Sequence, residues 1–180
     1  HMVFKGTKNR PASGAVSEEL DGLGAEYNAF TGQEYTGYWA KAEKGKFREI
    51  VDIVSDLYLA PLFDSKEIDK ERGVIIEEIN MYEDMPMRRV HDLFGALLYG
   101  DQPAGWEITG PKEVIRRLAR EDFVRYRREH YVPSKTVIVL AGNINIRAAE
   151  AQVKKLFGSL PREKRVRKPK TRESQSKPAV

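Results

Sequence analysis

Asp64-Ser65-Lys66-Glu67-Ile68-Asp69-Lys70-Glu71-Arg72-Gly73-Val74-Ile75-Ile76-Glu77-Glu78-Ile79-Asn80-Met81-Tyr82 is the stretch from which the rest of the chain can be read. Its apolar residues recur with helical spacing, Asp64 or Ser65 can cap the first turn, and Pro86 helps to stop it, so a helix is predicted over about 65–84. With Glu71 set at 0°, Glu78 falls at about −20°, Tyr82 at about 20°, Ile75 at about 40°, Ile68 at about 60° and Ile79 at about 80°. Two carboxylates therefore stand two turns apart inside the apolar stripe. Glu77 falls at about −120°, on the other side with Lys70. A carboxylate buried alone is costly, so Glu71 and Glu78 call for protonation, a cationic partner or a metal. A helix-edge pair satisfied by Arg, Lys or backbone donors answers the same demand. Periodicity says which glutamates face inward; it does not say zinc.

Outward from this helix the pattern alternates between helix and strand. Residues 1–5 read as the end of a helix stopped by Gly6, and 13–23 as a short helix with Ser13 or Ser17 as cap. Residues 25–32 and 34–43 alternate as two strands, joined by a tight turn at Gly32-Gln33. Phe47, Ile50, Val51, Val54, Leu57 and Tyr58 mark an amphipathic helix over 46–60, and Val90, Leu93, Phe94, Leu97 and Leu98 mark another over 86–99. After a Gly/Pro-containing loop over 100–110, Pro111 opens a short helix and Arg120-Glu121-Asp122 opens one ending near Tyr131. Thr136–Leu140 reads as a buried strand and 146–157 as a last helix. Interspersed elements of this kind imply an α+β fold, a mixed, largely antiparallel sheet layered with helices, with one strand left at an edge.

A chain of 180 residues is long enough to bury a core. Cysteine is absent, which excludes disulfides and thiolate chemistry, so any metal must be held by His, Asp or Glu. The lack of cysteine leans toward a cytoplasmic setting without fixing the compartment; no secretory signal or membrane span is visible. The net charge of +4 is unevenly placed. Residues 161–180 hold eight Lys/Arg and two Asp/Glu, a surplus of +6, while 23 basic and 25 acidic residues leave the rest at −2. A near-neutral body argues against nucleic acid as a partner. The division expected is a domain over 1–160 and a basic linker or tail over 161–180.

Read together, His1-Met2-Val3-Phe4-Lys5-Gly6-Thr7, Asn28-Ala29-Phe30-Thr31 and Glu71-Arg72-Gly73-Val74-Ile75-Ile76-Glu77-Glu78 resemble, in order and spacing, the pitrilysin/insulinase family of zinc metallopeptidases. Asp101-Gln102-Pro103-Ala104-Gly105, Ile108-Thr109-Gly110, His130-Tyr131-Val132-Pro133-Ser134 and Val139-Leu140-Ala141-Gly142-Asn143-Ile144 extend the likeness over nearly all of 1–160. The resemblance implies the first half of a peptidase of the pitrilysin/mitochondrial-processing-peptidase type. It matches His1 to the second His of an inverted His-x-x-Glu-His motif, Glu78 to the third zinc ligand, and Glu71 to a glutamate that supports the site from behind the ligands. The motif's first His and its general-base Glu fall ahead of His1, as does the first strand. Zn2+ is thus the implied cofactor of the complete enzyme, with weak or no binding, and no activity, expected of this chain alone.

The resemblance also matches Asn28, Ala29, Phe30 and Thr31 to a strand that pairs with substrate backbone. Without it, the same residues read as a simple hairpin, with Asn28 at a turn or bulge and Phe30 in the core. The implied partners are a peptide substrate and a second homologous half or partner subunit. Two other functions stay open: a non-catalytic paralogue serving as a structural subunit, and a module that binds peptides without hydrolysis. His91, His130, Trp39 and Trp106 read as structural.

Overall fold

The computed structural model describes residues 1–160 and 168–175. The chain forms two compact units. One comprises His1–Phe30, Thr36–Ile68 and the described residues of Ala119–Val166; the other comprises Thr31–Tyr35, Asp69–Leu118 and the described residues of Arg167–Val180.

In the first unit, Met2–Lys5 makes a single 3-10 turn that buries Met2 and Val3. Gly6 ends it at φ 124°, and an added Cβ would stand 2.8 Å from the Pro11 carbonyl oxygen, so only glycine fits. The chain then runs antiparallel to residues 60–62. Leu62 N–H donates to Gly6 O at 3.0 Å and Lys8 N–H to Ala60 O at 2.8 Å. Helix α1 (Ala15–Gly22) starts at Gly14, in the left-handed region at φ 95°. Neither Ser13 nor Ser17 caps it, contrary to the sequence expectation: the Ser13 hydroxyl instead donates to Glu67 Oε2 at 2.9 Å.

Strands β1 (Glu26–Thr31) and β2 (Thr36–Lys41) form an antiparallel hairpin. Four residues connect them, rather than the two expected, and Gly32 N–H donates to Tyr35 O at 2.8 Å to close the loop. This register sets Glu26 opposite Lys41, an ion pair at 3.2 Å, and Phe30 opposite Gly37. Tyr27, Tyr38 and Ala40 turn toward the core. Asn28, Phe30 and Trp39 take the other face and are exposed.

Helix α2 (Phe47–Leu59) is the centre of the unit, against α1, β2 and the C-terminal helix Ile146–Phe157. Val16, Leu20, Ile53 and Leu57 are almost fully enclosed there with Met2, Val3, Phe63 and Ile68. Cutting Leu20 or Leu57 back to alanine would cost about 2–5 kcal/mol. The helix Arg120–His130 stacks Phe123 on Phe63, ring centroids 5.6 Å apart. Its Arg127 donates to the terminal carbonyls of α2, Tyr58 O at 3.3 Å and Leu59 O, which the helix itself cannot satisfy.

The strand expected at Thr136–Leu140 does not form. The segment is extended at Thr136, but no described strand pairs with it, and Val137 is 86% and Val139 78% exposed. A strand requires a neighbour to take its backbone groups, and apolar β-branched sequence alone does not supply one.

The second unit holds most of α3 (Ser65–Glu83), then α4 (Pro86–Tyr99) and α5 (Lys112–Arg117). Arg72 of α3 donates to the carbonyls of Ile115 at 2.7 Å, Arg116 at 2.8 Å and Leu118 at 3.2 Å, pinning the end of α5. Lys112 closes on Glu83 at 2.5 Å. Helix α4 carries its predicted apolar stripe, yet Val90, Leu93, Phe94 and Leu97 are all exposed, Phe94 by 61%. Among the described residues no helix is long and apolar enough to cross a membrane.

Candidate functional site

Asp64 caps α3 through its side chain, Oδ1 accepting from Lys66 N–H at 2.9 Å and Glu67 N–H at 3.2 Å. That fixes the helix's phase, and its faces follow the wheel drawn from sequence. Ile68, Glu71 and Ile79 are buried, Ile75, Glu78 and Tyr82 half-buried, and Lys70 and Glu77 exposed. Glu71 is only 6% exposed, an unusual position for a carboxylate. Glu78 lies two turns on, and Tyr82 one turn beyond it donates its phenol to Glu78 Oε1 at 2.7 Å. The hydrogen bond to this carboxylate, and then burial, hold the Tyr82 phenol above its ordinary pKa. Arg88 lays its guanidinium 3.3 Å over the same ring. Tyr82 is therefore a functional candidate that no motif named. The signal was present in the wheel: an i, i+4 neighbour on the Glu78 face.

His1 belongs to the other unit, at the head of the 3-10 turn, where it is exposed and its carbonyl accepts from Phe4 N–H at 3.1 Å. What fixes the segment behind it is a partly buried ion network. The Thr7 side chain is fully enclosed and donates to Asp56 Oδ2. Asn9 donates to Asp56 Oδ1 at 3.0 Å. Arg10 reaches Asp56 at 3.0 Å, Asp52 at 2.9 Å and Glu19 through two bonds at 2.5 and 3.0 Å. The hydrogen bond to Glu19, with those to Asp52 and Asp56, raises the Arg10 pKa despite the opposing effect of burial. No sequence signal announces this network, since its partners lie up to 49 residues apart.

Asn28, Ala29, Phe30 and Thr31 share β1 but divide between its faces. Phe30 is 49% exposed and lies outside the core, its ring filling the space over Gly37. The closing bond at Gly32 fixes the phase of the antiparallel ladder. Residues 26, 28 and 30 turn their backbone groups to β2, and Tyr27, Ala29 and Thr31 turn theirs to the other edge, which no strand among the described residues occupies. The Asn28 side chain covers one of those edge donors, accepting from Ala29 N–H at 2.8 Å. Of the other residues read as structural, His91 is exposed, His130 lies 3.2 Å from Lys135 Nζ, and Trp39 and Trp106 are both exposed rather than packed.

An imidazole and a carboxylate are donors of the kind zinc takes, but a catalytic site needs three protein ligands. Among the described residues no three His, Cys, Asp or Glu side chains converge on one metal-sized position. His1 and Glu78 each offer a donor of the type zinc takes.

Comparison with known proteins gives this arrangement its context. The profile described as Insulinase (Peptidase family M16) matches residues 1–112, and that described as Peptidase M16 inactive domain matches residues 117–180. The chain is 38% identical over 159 residues to an uncharacterized zinc protease, YmxG, of Bacillus subtilis, covering 88% of this chain and 38% of the relative. It is 34% identical to a probable mitochondrial-processing peptidase subunit beta of Arabidopsis thaliana, covering 89% of this chain and 30% of the relative. The fold matches the crystal structure of a protease from Helicobacter pylori with a TM-score of 0.87 at 23% identity, covering 97% of this chain and 42% of that one. It also matches the first half of the periplasmic protease PqqL from Escherichia coli, TM-score 0.81 at 23% identity, covering 97% of this chain and 38% of that one. The chain therefore spans well under half the length of each of these proteins. Its motif set, its fold and both profile matches lead to one conclusion: the chain belongs to the insulinase (M16) family of peptidases.

Proposed function

We propose that this chain is the part of a zinc metalloendopeptidase that presents substrate on an open strand and contributes two metal ligands. The observation that carries the reading is the inward carboxylate face of α3, where buried Glu71 lies two turns before Glu78 and Tyr82 holds the Glu78 carboxylate by a 2.7 Å bond. His1 and Glu78 are the ligands proposed; a second imidazole and the general-base carboxylate are expected from residues ahead of His1. When bound, zinc supplies Lewis-acid polarisation of the scissile carbonyl. The chain's own residues do the positioning. The Arg10 network anchors the segment behind His1 to α1 and α2. The open edge of β1 offers Tyr27, Ala29 and Thr31 backbone groups to an extended peptide, and Phe30 and Trp39 line the face where a side chain of that peptide would lie. Peptide pairing at this edge has to displace Asn28 from Ala29 N–H or recruit it.

The test is cleavage of an unfolded polypeptide by the parent protein, with its preceding residues and its remaining length, with and without chelator. Cleavage that stops with chelator and with Glu78→Gln supports the reading. Chelator-insensitive cleavage, or none from a folded protein, defeats it.

A second reading is peptide binding without hydrolysis, as a module or as a non-catalytic partner subunit. It rests on the edge of β1 away from β2, whose Tyr27, Ala29 and Thr31 backbone groups can pair with a peptide whether or not a metal is held. The exposed apolar stripe of α4 suits a further half or subunit as its cover. Peptide titration of Glu78→Gln separates the readings: full affinity with no cleavage by the unsubstituted parent favours the module.

A further inference from the structure

The loop after α4 is built around one side chain. Gln102 Nε2 donates to Tyr99 O and to Arg172 O at 2.8 Å, and Gln102 Oε1 accepts from Arg172 N–H at 2.9 Å. Both amide hydrogens and the amide oxygen are thereby used. The orientation is also fixed, because only nitrogen can face two carbonyls. The loop backbone reinforces it. Gly105 N–H donates to Gln102 O at 2.8 Å, and Gly105 packs so closely that a Cβ there would stand 2.4 Å from Gly100 O. Trp106 Nε1–H donates to Asp101 Oδ1 at 2.8 Å beside it.

A carboxamide that bonds both the N–H and the C=O of one residue copies the pairing of a neighbouring β-strand, and it reads backbone, not side chain. On either side of Arg172 the contacts change character. Lys168 pairs with Glu34 in the β1–β2 loop, and the Gln175 side chain donates to Leu97 O at 3.4 Å. Residues 168–175 have no regular secondary structure and are exposed throughout, and these polar contacts dock them. We propose that Gln102 is a backbone clamp, and that Glu34, Gln102 and the Leu97 carbonyl form a site for an extended peptide with a basic residue four positions before the clamped one. In this chain the site is filled in cis by residues 168–175. The proposal is independent of the reading of His1 and Glu78.

The experiment is amide exchange and NMR on the 180-residue chain. Arg172 N–H exchanges about tenfold or more slowly than its sequence dictates, and Gln102→Ala removes that protection. Arg172→Ala keeps it because the clamp reads backbone. Unchanged Leu57 resonances report that unit 1 is intact. Equal exchange at Arg172 with and without Gln102, or protection lost in Arg172→Ala, overturns the clamp. For exchangeability, Lys168→Glu weakens the cis segment and a synthetic peptide of sequence 168–175 is added in trans. The Gln102 side-chain amide resonances shift saturably with it, and not with the peptide N-methylated at the residue matching Arg172. No shift, or the same shift with the N-methylated peptide, overturns the peptide site.

Discussion

The Tyr82 phenol and the Glu78 carboxylate are joined by a 2.7 Å hydrogen bond one turn apart on α3, and Arg88 closes over the phenol from 3.3 Å. A carboxylate oxygen held in this way restricts the rotation of the side chain. Groups that orient a ligand in this manner commonly set metal affinity by factors of about 10–100.

Tyr82→Phe is therefore expected to leave α3 folded and to weaken zinc binding by the parent protein about tenfold. Competition with a chromophoric chelator measures it directly. Arg88→Ala should weaken it less, because it loosens the ring without removing the bond. Zinc affinity unchanged in Tyr82→Phe would separate Glu78 from any metal.

The Arg10 network predicts a stability effect. Arg10 is 12% and Asp56 4% exposed, so removing the cation leaves a buried carboxylate charge with only its neutral Thr7 and Asn9 donors. Arg10→Ala should cost about 3–5 kcal/mol in urea unfolding. Arg10→Lys should recover little of it, since one ammonium cannot bridge three carboxylates in fixed geometry. A loss at the level of an exposed pair, about 0.5 kcal/mol, would contradict this account.

Gly37 faces Phe30 across the hairpin, and an added Cβ would come within 2.2 Å of the ring. The ring is half-exposed and can swing away, so Gly37→Ala should cost less than about 1 kcal/mol while shifting the Phe30 ring-proton resonances. A larger loss of stability with an unmoved ring would mean that the hairpin backbone yields instead. Peptide binding at the β1 edge should change in the same variant, because the displaced ring borders it.

Asp122 Oδ2 accepts from Ala119 N–H at 2.9 Å at the start of its helix, and Oδ1 accepts from Arg125 at 2.5 Å. The backbone hydrogen bond, and then Arg125, hold its pKa below the ordinary value. A depressed carboxylate contributes stability that is present above its unfolded pKa of about 3.9 and lost as pH falls through the folded value. The stability gap between the unsubstituted chain and Asp122→Asn should therefore be constant near neutrality and close below about pH 4. Urea midpoints from pH 7 down to pH 3 test it; a gap indifferent to acid would assign Asp122 a purely geometric role.

Much of the helical layer was legible because a helix satisfies its own backbone. Asp64 before α3 and Pro86 after it are local signals for where a run of local hydrogen bonds begins and stops. The same locality placed Glu71 and Glu78 on the inward face and Glu77 outside. Only tertiary structure decided the rest. Among the described residues Thr136–Leu140 has the composition of a strand but no strand pairs with it, the stripe on α4 has helical spacing but stays exposed, and Phe30 faces outward because the register with Gly37 is set by the loop. Arg10 meets Asp56 across 46 residues and Gln102 meets Arg172 across 70. Such pairings depend on how distant segments are brought together, and no short-range spacing in a sequence encodes that.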